Sequence, residues 1–138
     1  MRVAALLIGA VLAFATSATL AIELKPYPTE KITEAQWKDY FGQVKAAYGA
    51  SMQELRDQRL VVFHDDATAT SYAFTEVGHA AHPAWITRRI AQEGDKLYVD
   101  QIGYFAGNEA AFAVLFQQYQ ATNQKMIDAM KRKSGNTP

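Results

Sequence analysis

An α+β fold follows from three observations: an amphipathic helical segment after residue 33, a second after residue 108, and four β-type runs between them joined by turns. The order is helix, four strands, helix. The economical assembly is a four-stranded antiparallel meander with both helices packed on one sheet face.

The chain begins with a segment that lies outside this fold. Arg2 and the amino terminus supply positive charge, and a 12-residue apolar run follows from Val3 to Phe14. That length suits the core of a secretory leader and is too short to cross a bilayer. Small and polar residues come next, Ala15-Thr16-Ser17-Ala18-Thr19-Leu20-Ala21. Thr19 and Ala21 meet the small-residue requirement of signal peptidase, so residues 1–21 are expected to be a signal peptide cut after Ala21. A cut after Ala18, with Thr16 three residues before the scissile bond, is the second choice. The expected address is periplasmic or secreted, with no stable membrane anchor after cleavage.

The chain has no cysteine. It therefore offers no lipid attachment site and no disulfide, and the remaining 117 or so residues must hold together by packing, as one domain over 33–131. There are 14 basic and 14 acidic residues, and losing Arg2 with the leader leaves 13 against 14. Such a balance gives no electrostatic drive toward nucleic acid. The one basic run, Lys131-Arg132-Lys133, suits the end of a helix.

Residues 22–32 contain Pro26 and Pro28 and read as an extended lead-in. Thr33 followed by Gln36 is a capping box. Apolar residues then recur at Trp37, Tyr40, Phe41, Val44, Ala47, Tyr48, Met52 and Leu55, which predicts one helix through all of them. Arg59–His64 and Thr70–Glu76 are β-type runs around a turn at Asp65–Thr68. Ala84–Ala91 and Leu97–Phe105 flank Glu93-Gly94-Asp95, the strongest hairpin signal in the chain. A turn centred on Gly94 sets Arg88 opposite Asp100; a register one residue away sets Arg89 there. Asn108 is a suitable N-cap for the second helix. Phe112, Leu115, Phe116, Tyr119, Met126 and Met130 form its stripe, which Thr122 and Asn123 interrupt. The helix is expected to end near Lys131, with 132–138 a tail.

All three histidines, His64, His79 and His82, fall within 19 residues, and Glu76 is close by. Gly78 and Pro83 shape the stretch between strands. Three function classes compete for these residues. The first is a non-catalytic binding or accessory module for an unknown small molecule or periplasmic protein. Its pocket would be rimmed by His79 and His82 and walled by Trp85, Tyr72, Tyr98 and Tyr104, with Arg88 or Arg89 holding an anion. The second is a zinc or copper site on His79 and His82 completed by Glu76 or His64, with enzymatic use of the metal as its extension. The third is homodimerisation through a helix face that the small sheet leaves uncovered. Ser51 and Ser71 lie in no nucleophile elbow, and Asp65-Asp66 reads as a turn former, so catalysis is not expected.

Gly78-His79-Ala80-Ala81-His82-Pro83, placed after the strand Tyr72-Ala73-Phe74-Thr75, resembles the Gly-His-Pro-Ala-His-Pro segment of a group of small exported bacterial proteins with no assigned activity. This chain departs from that pattern at Ala80. The resemblance covers about 20 residues and implies export, but no chemistry.

Overall fold

The chain is described by a computed structural model covering residues 22–135. The expected signal peptide and its cut lie outside the described residues. Two helices, α1 (Glu34–Tyr48) and α2 (Glu109–Gly135), flank five strands: β1 (Gln53–Leu55), β2 (Leu60–Asp65), β3 (Thr70–Thr75), β4 (Ala84–Glu93) and β5 (Lys96–Phe105). The strands form one antiparallel sheet in chain order. The α+β class holds, with both terminal helices packed against an antiparallel sheet. Among the described residues no helix is long and apolar enough to cross a membrane.

Two details of the expected assembly are corrected. The sheet has five strands, because α1 stops earlier than its apolar spacing suggests. After Tyr48 the chain tightens into a 3₁₀ turn at Gly49–Ser51. The Ser51 hydroxyl donates to the Tyr48 carbonyl at 2.6 Å and accepts from the His64 amide at 2.8 Å. That clasp redirects the chain, so residues 53–55 pair with 60–62. Met52, expected on the helix's buried stripe, is 45% exposed.

The helices also lie on opposite faces of the sheet. Trp37, Tyr40 and Val44 of α1 join Val61, Phe63, Tyr72, Phe74, Trp85 and Tyr104 in one core. Phe112 and Leu115 of α2 join Ala84, Ile86 and Phe105 in another. Alternate residues of a strand point to opposite faces, so Trp85 and Ile86 cannot face the same helix. The cause is visible in the strands. Leu60–Phe63, Tyr72–Thr75 and Ala84–Thr87 are each four consecutive buried residues. A continuous buried run needs cover on both sides, which two helices on one face cannot supply. Gly103 lets α2 come close: a Cβ there would sit 2.6 Å from the Phe112 ring.

The remaining elements follow their local chemistry. Thr33 and Gln36 make the reciprocal capping box, and the Asn108 side chain accepts from the Ala111 amide at 2.8 Å. Gly94, at φ 61°, makes the two-residue turn between Glu93 and Lys96. Helix α2 runs on to Gly135, so residues 132–135 continue it instead of starting the tail. The lead-in, expected to be extended, bends at residues 27–30 and is tied down. Ile32 donates to the Phe105 carbonyl, and Phe105 to that of Glu30, both at 2.9 Å. The Tyr40 and Tyr104 hydroxyls donate to the carbonyls of Glu23 and Tyr27.

Candidate functional site

The histidine loop is held by its own hydrogen bonds. His79 Nδ1 accepts from the Ala81 amide at 2.9 Å. His82 Nδ1 lies 3.0 Å from the Thr75 carbonyl and 2.8 Å from its hydroxyl. A carbonyl can only accept, so His82 Nδ1 carries a hydrogen and donates it. The Thr75 hydroxyl also accepts from the Ala84 amide at 2.9 Å and donates to the Ala84 carbonyl. Trp37 packs edge-on to the His82 ring and donates its indole hydrogen to the Ala84 carbonyl. The His82–Pro83 peptide is cis.

These bonds engage Nδ1 of each ring and fix its orientation; whether a metal could bind then depends on which other side chains converge with the rings. Glu76 is engaged through its backbone, accepting from the His79 amide. His64 stands opposite Ser71 on β2, four residues back from the end of β3, or about 13 Å along the strand. Among the described residues no group of three His, Cys, Asp or Glu side chains is placed to hold a metal ion. The zinc or copper set of His79, His82, Glu76 and His64 therefore does not assemble, because these side chains do not converge: His64 sits on the strand well away from the loop.

His79 also carries a pH signature. Burial first, and the neighbouring His82 second, push its pKa below the ordinary imidazole value of 6.5. Protonating Nδ1 removes the acceptor for the Ala81 amide. The unfolded chain binds this proton more readily, so the contribution is complete above pH 6.5 and is lost as pH falls through the folded-state pKa. Urea denaturation of the wild type against His79→Gln should show a shallower decline between pH 7.5 and 5 in the variant; parallel declines would refute the assignment.

The expected aromatic walls are core. Trp85 is fully buried and stacked on Tyr40 with ring centroids 4.4 Å apart, and Tyr72 stacks on Tyr48 at 5.6 Å. Tyr104 is buried against Trp85 and Tyr27. Only Tyr98 of the four is exposed. Trp85 and Tyr72 are thus removed from the ligand-binding set by the core they form with α1.

Arg88 lies elsewhere, on the α2 face. Register places His64 beside Ser71, Ser71 beside Arg88, and Arg88 beside Gln101. A polar row therefore crosses four strands. The Arg88 guanidinium lies 4.4 Å from the Tyr119 ring and donates to the Asn123 side-chain oxygen at 3.1 Å. Asn123, 7% exposed, donates in turn to Gln101 at 2.6 Å, and Gln101 donates to the Phe116 carbonyl. The interruption in the α2 stripe is thus the helix's answer to a polar row in the sheet. That signal could have located Asn123 and Gln101, which sequence reasoning passed over.

Arg89, its neighbour, points the other way and pairs with Asp100 at 3.8 Å, which decides the register left open above. Arg88 has no carboxylate within salt-bridge distance among the described residues. Only one of its five N–H donors finds an acceptor there. Burial lowers its pKa from the ordinary guanidinium value, with Tyr119 pulling the other way, and the group stays charged. An open cleft of about 340 Å³ borders it, lined also by His64, Ser71, Ile90, Val99 and Met126 and by the acidic Asp65 and Asp66. The Ser71 hydroxyl and the His64 ring make no hydrogen bond to the described residues. The cleft thus presents a half-buried cation, a free hydroxyl and an imidazole together. No family model, curated protein or solved structure matches this chain, so what the site binds has to be argued from its own chemistry.

Proposed function

We propose that the protein is a small exported, non-catalytic binding module that takes a small anion in the cleft beside Arg88. One observation carries this reading: a half-buried guanidinium with no carboxylate partner, lining a cleft large enough for a ligand. A charge removed from water is costly unless paired, and a bound anion would complete it. Ser71 could donate a second hydrogen bond, and the His64 ring N–H a third. The Tyr119 ring and the Asn123–Gln101 chain orient the guanidinium beforehand, which lowers the cost of binding.

The expected leader supports export, and the resemblance of the Gly78–Pro83 segment agrees with it. Intact-mass measurement on protein recovered from its native host tests this part; a chain still starting at Met1 would refute it. The anion reading is tested by NMR titration with inorganic phosphate, sulfate and acetate. Shifts should centre on Arg88, Ser71 and Asn123. Arg88→Gln should weaken binding by about ten- to a hundred-fold, the range for a charged hydrogen bond, while Arg89→Gln leaves it unchanged. Equal losses in both variants would mean surface screening and would end the proposal.

A further inference from the structure

The walls of the Arg88 cleft are sorted by polarity, and that sorting points to a kind of anion. On β4 the next residue on the same face as Arg88 is Ile90, and Ile90 pairs with Val99 on β5. On the other side the Ile90 amide donates to the Ala69 carbonyl. A second row therefore runs beside the first: His64, Ser71, Arg88 and Gln101 in one, Ala69, Ile90 and Val99 in the next. Helix α2 repeats the order. Tyr119 and Asn123 stand over the polar row, and Met126, one turn further, lines the cleft with Ile90 and Val99. Ile90, Val99 and Met126 are each half-buried, so part of their apolar surface is left for a guest.

The charge count narrows the choice further. Arg88 is the one permanent cation lining the cleft, and Asp65 and Asp66 line it too. The Asp65 carboxylate is committed to the Thr68 and Tyr48 hydroxyls and the Ala67 amide. Those bonds, Thr68 first, hold its pKa below the usual carboxylate value, so its negative charge persists at neutral pH. One cation in a cleft that also holds two acidic residues disfavours a doubly charged phosphate more than a monoanion.

We propose that the ligand is a monocarboxylate bearing an apolar chain, its carboxylate on Arg88 and Ser71 and its chain along Ile90, Val99 and Met126. This rests on the anion reading above and specifies the ligand's class. Each methylene withdrawn from water strengthens binding roughly four-fold. Octanoate should therefore bind at least about ten-fold more tightly than acetate, and inorganic phosphate should bind no better than acetate.

Calorimetric and NMR titration of the purified protein with octanoate, acetate and inorganic phosphate tests this. Arg88→Gln should weaken octanoate and acetate alike. Met126→Gln, close in shape, should weaken octanoate and spare acetate. Ser71→Ala, which loses no hydrogen bond within the protein, keeps a folded variant in hand and should weaken both. Octanoate binding that survives Arg88→Gln and Ser71→Ala would be chain adsorption and would overturn the proposal. Acetate or phosphate binding as tightly as octanoate, with both lost in Arg88→Gln, would overturn the ligand class and leave the anion site standing. No binding of any of the three would remove both.

Discussion

Trp85→Ala should destabilise the protein by about 3–5 kcal/mol, the range for removing a large buried aromatic side chain. Trp85 is fully buried at the centre of the core facing α1. Its ring stacks on Tyr40 and lies 4.9 Å from Tyr104, 5.7 Å from Phe74 and 6.3 Å from Tyr27, centroid to centroid. It therefore joins the helix, the sheet and the lead-in, and no single neighbour can collapse into the space it leaves. For a domain whose total stability is about 5–15 kcal/mol, such a loss brings unfolding within reach of mild conditions. Trp85→Phe is the informative partner. The indole N–H has no acceptor among the described residues, so phenylalanine removes an unpaired buried donor while keeping most of the ring. Its cost should stay below about 2 kcal/mol. Urea denaturation followed by circular dichroism measures both; similar losses in the two variants would mean that the ring's volume is not what matters.

Thr75→Val should cost about 2–3 kcal/mol although it changes shape very little, because it strands buried polar groups. Thr75 is 2% exposed, and its hydroxyl is the acceptor for the Ala84 amide, a donor to the Ala84 carbonyl and a neighbour of His82 Nδ1. It closes the base of the histidine loop at the point where β3 ends and β4 begins. The Ala84 carbonyl retains the Trp37 indole hydrogen, so the Ala84 amide is the group left without a partner. Thr75→Ser keeps the hydroxyl and should cost less than about 1 kcal/mol. Chemical denaturation of the two variants gives the comparison, and nitrogen shifts of the His82 ring report whether Nδ1 still donates. Equal stability of the valine and serine variants would show that the loop is held by something other than this hydroxyl.

The two predictions divide the distinctive residues of the sequence by role. Trp85 and Tyr72 read as ligand walls because aromatic residues on strands serve cores and pockets equally well, and spacing along a strand does not say which helix lies over which face. His79 and His82 read as metal ligands because imidazole is a good one, yet both rings are engaged within a few residues of their own positions. Of the expected ligand residues, Arg88 lines an open cleft, but one apart from His79 and His82. Its partners were not recognised because Gln101 and Asn123 are 22 residues apart and look unremarkable singly. Only the pairing of Arg88 with Gln101 on adjacent strands, with α2 laid across them, turns a break in a helical stripe into a polar cluster.

Local chemistry alone determined where both helices start and how β4 connects to β5. The Thr33 capping box, the Asn108 cap, the Gly94 turn and the apolar repeats act over three or four residues, so they are written in consecutive positions. How those elements stack was decided only by long-range packing. Consecutive buried residues in β2, β3 and β4 require a helix on each side of the sheet. The clasp between Ser51 and His64 ends the first helix and adds a fifth strand. The Arg88 cleft exists because residues from four strands and the second helix meet there, and the free energy that selects such a meeting belongs to the assembled chain, not to any stretch of it.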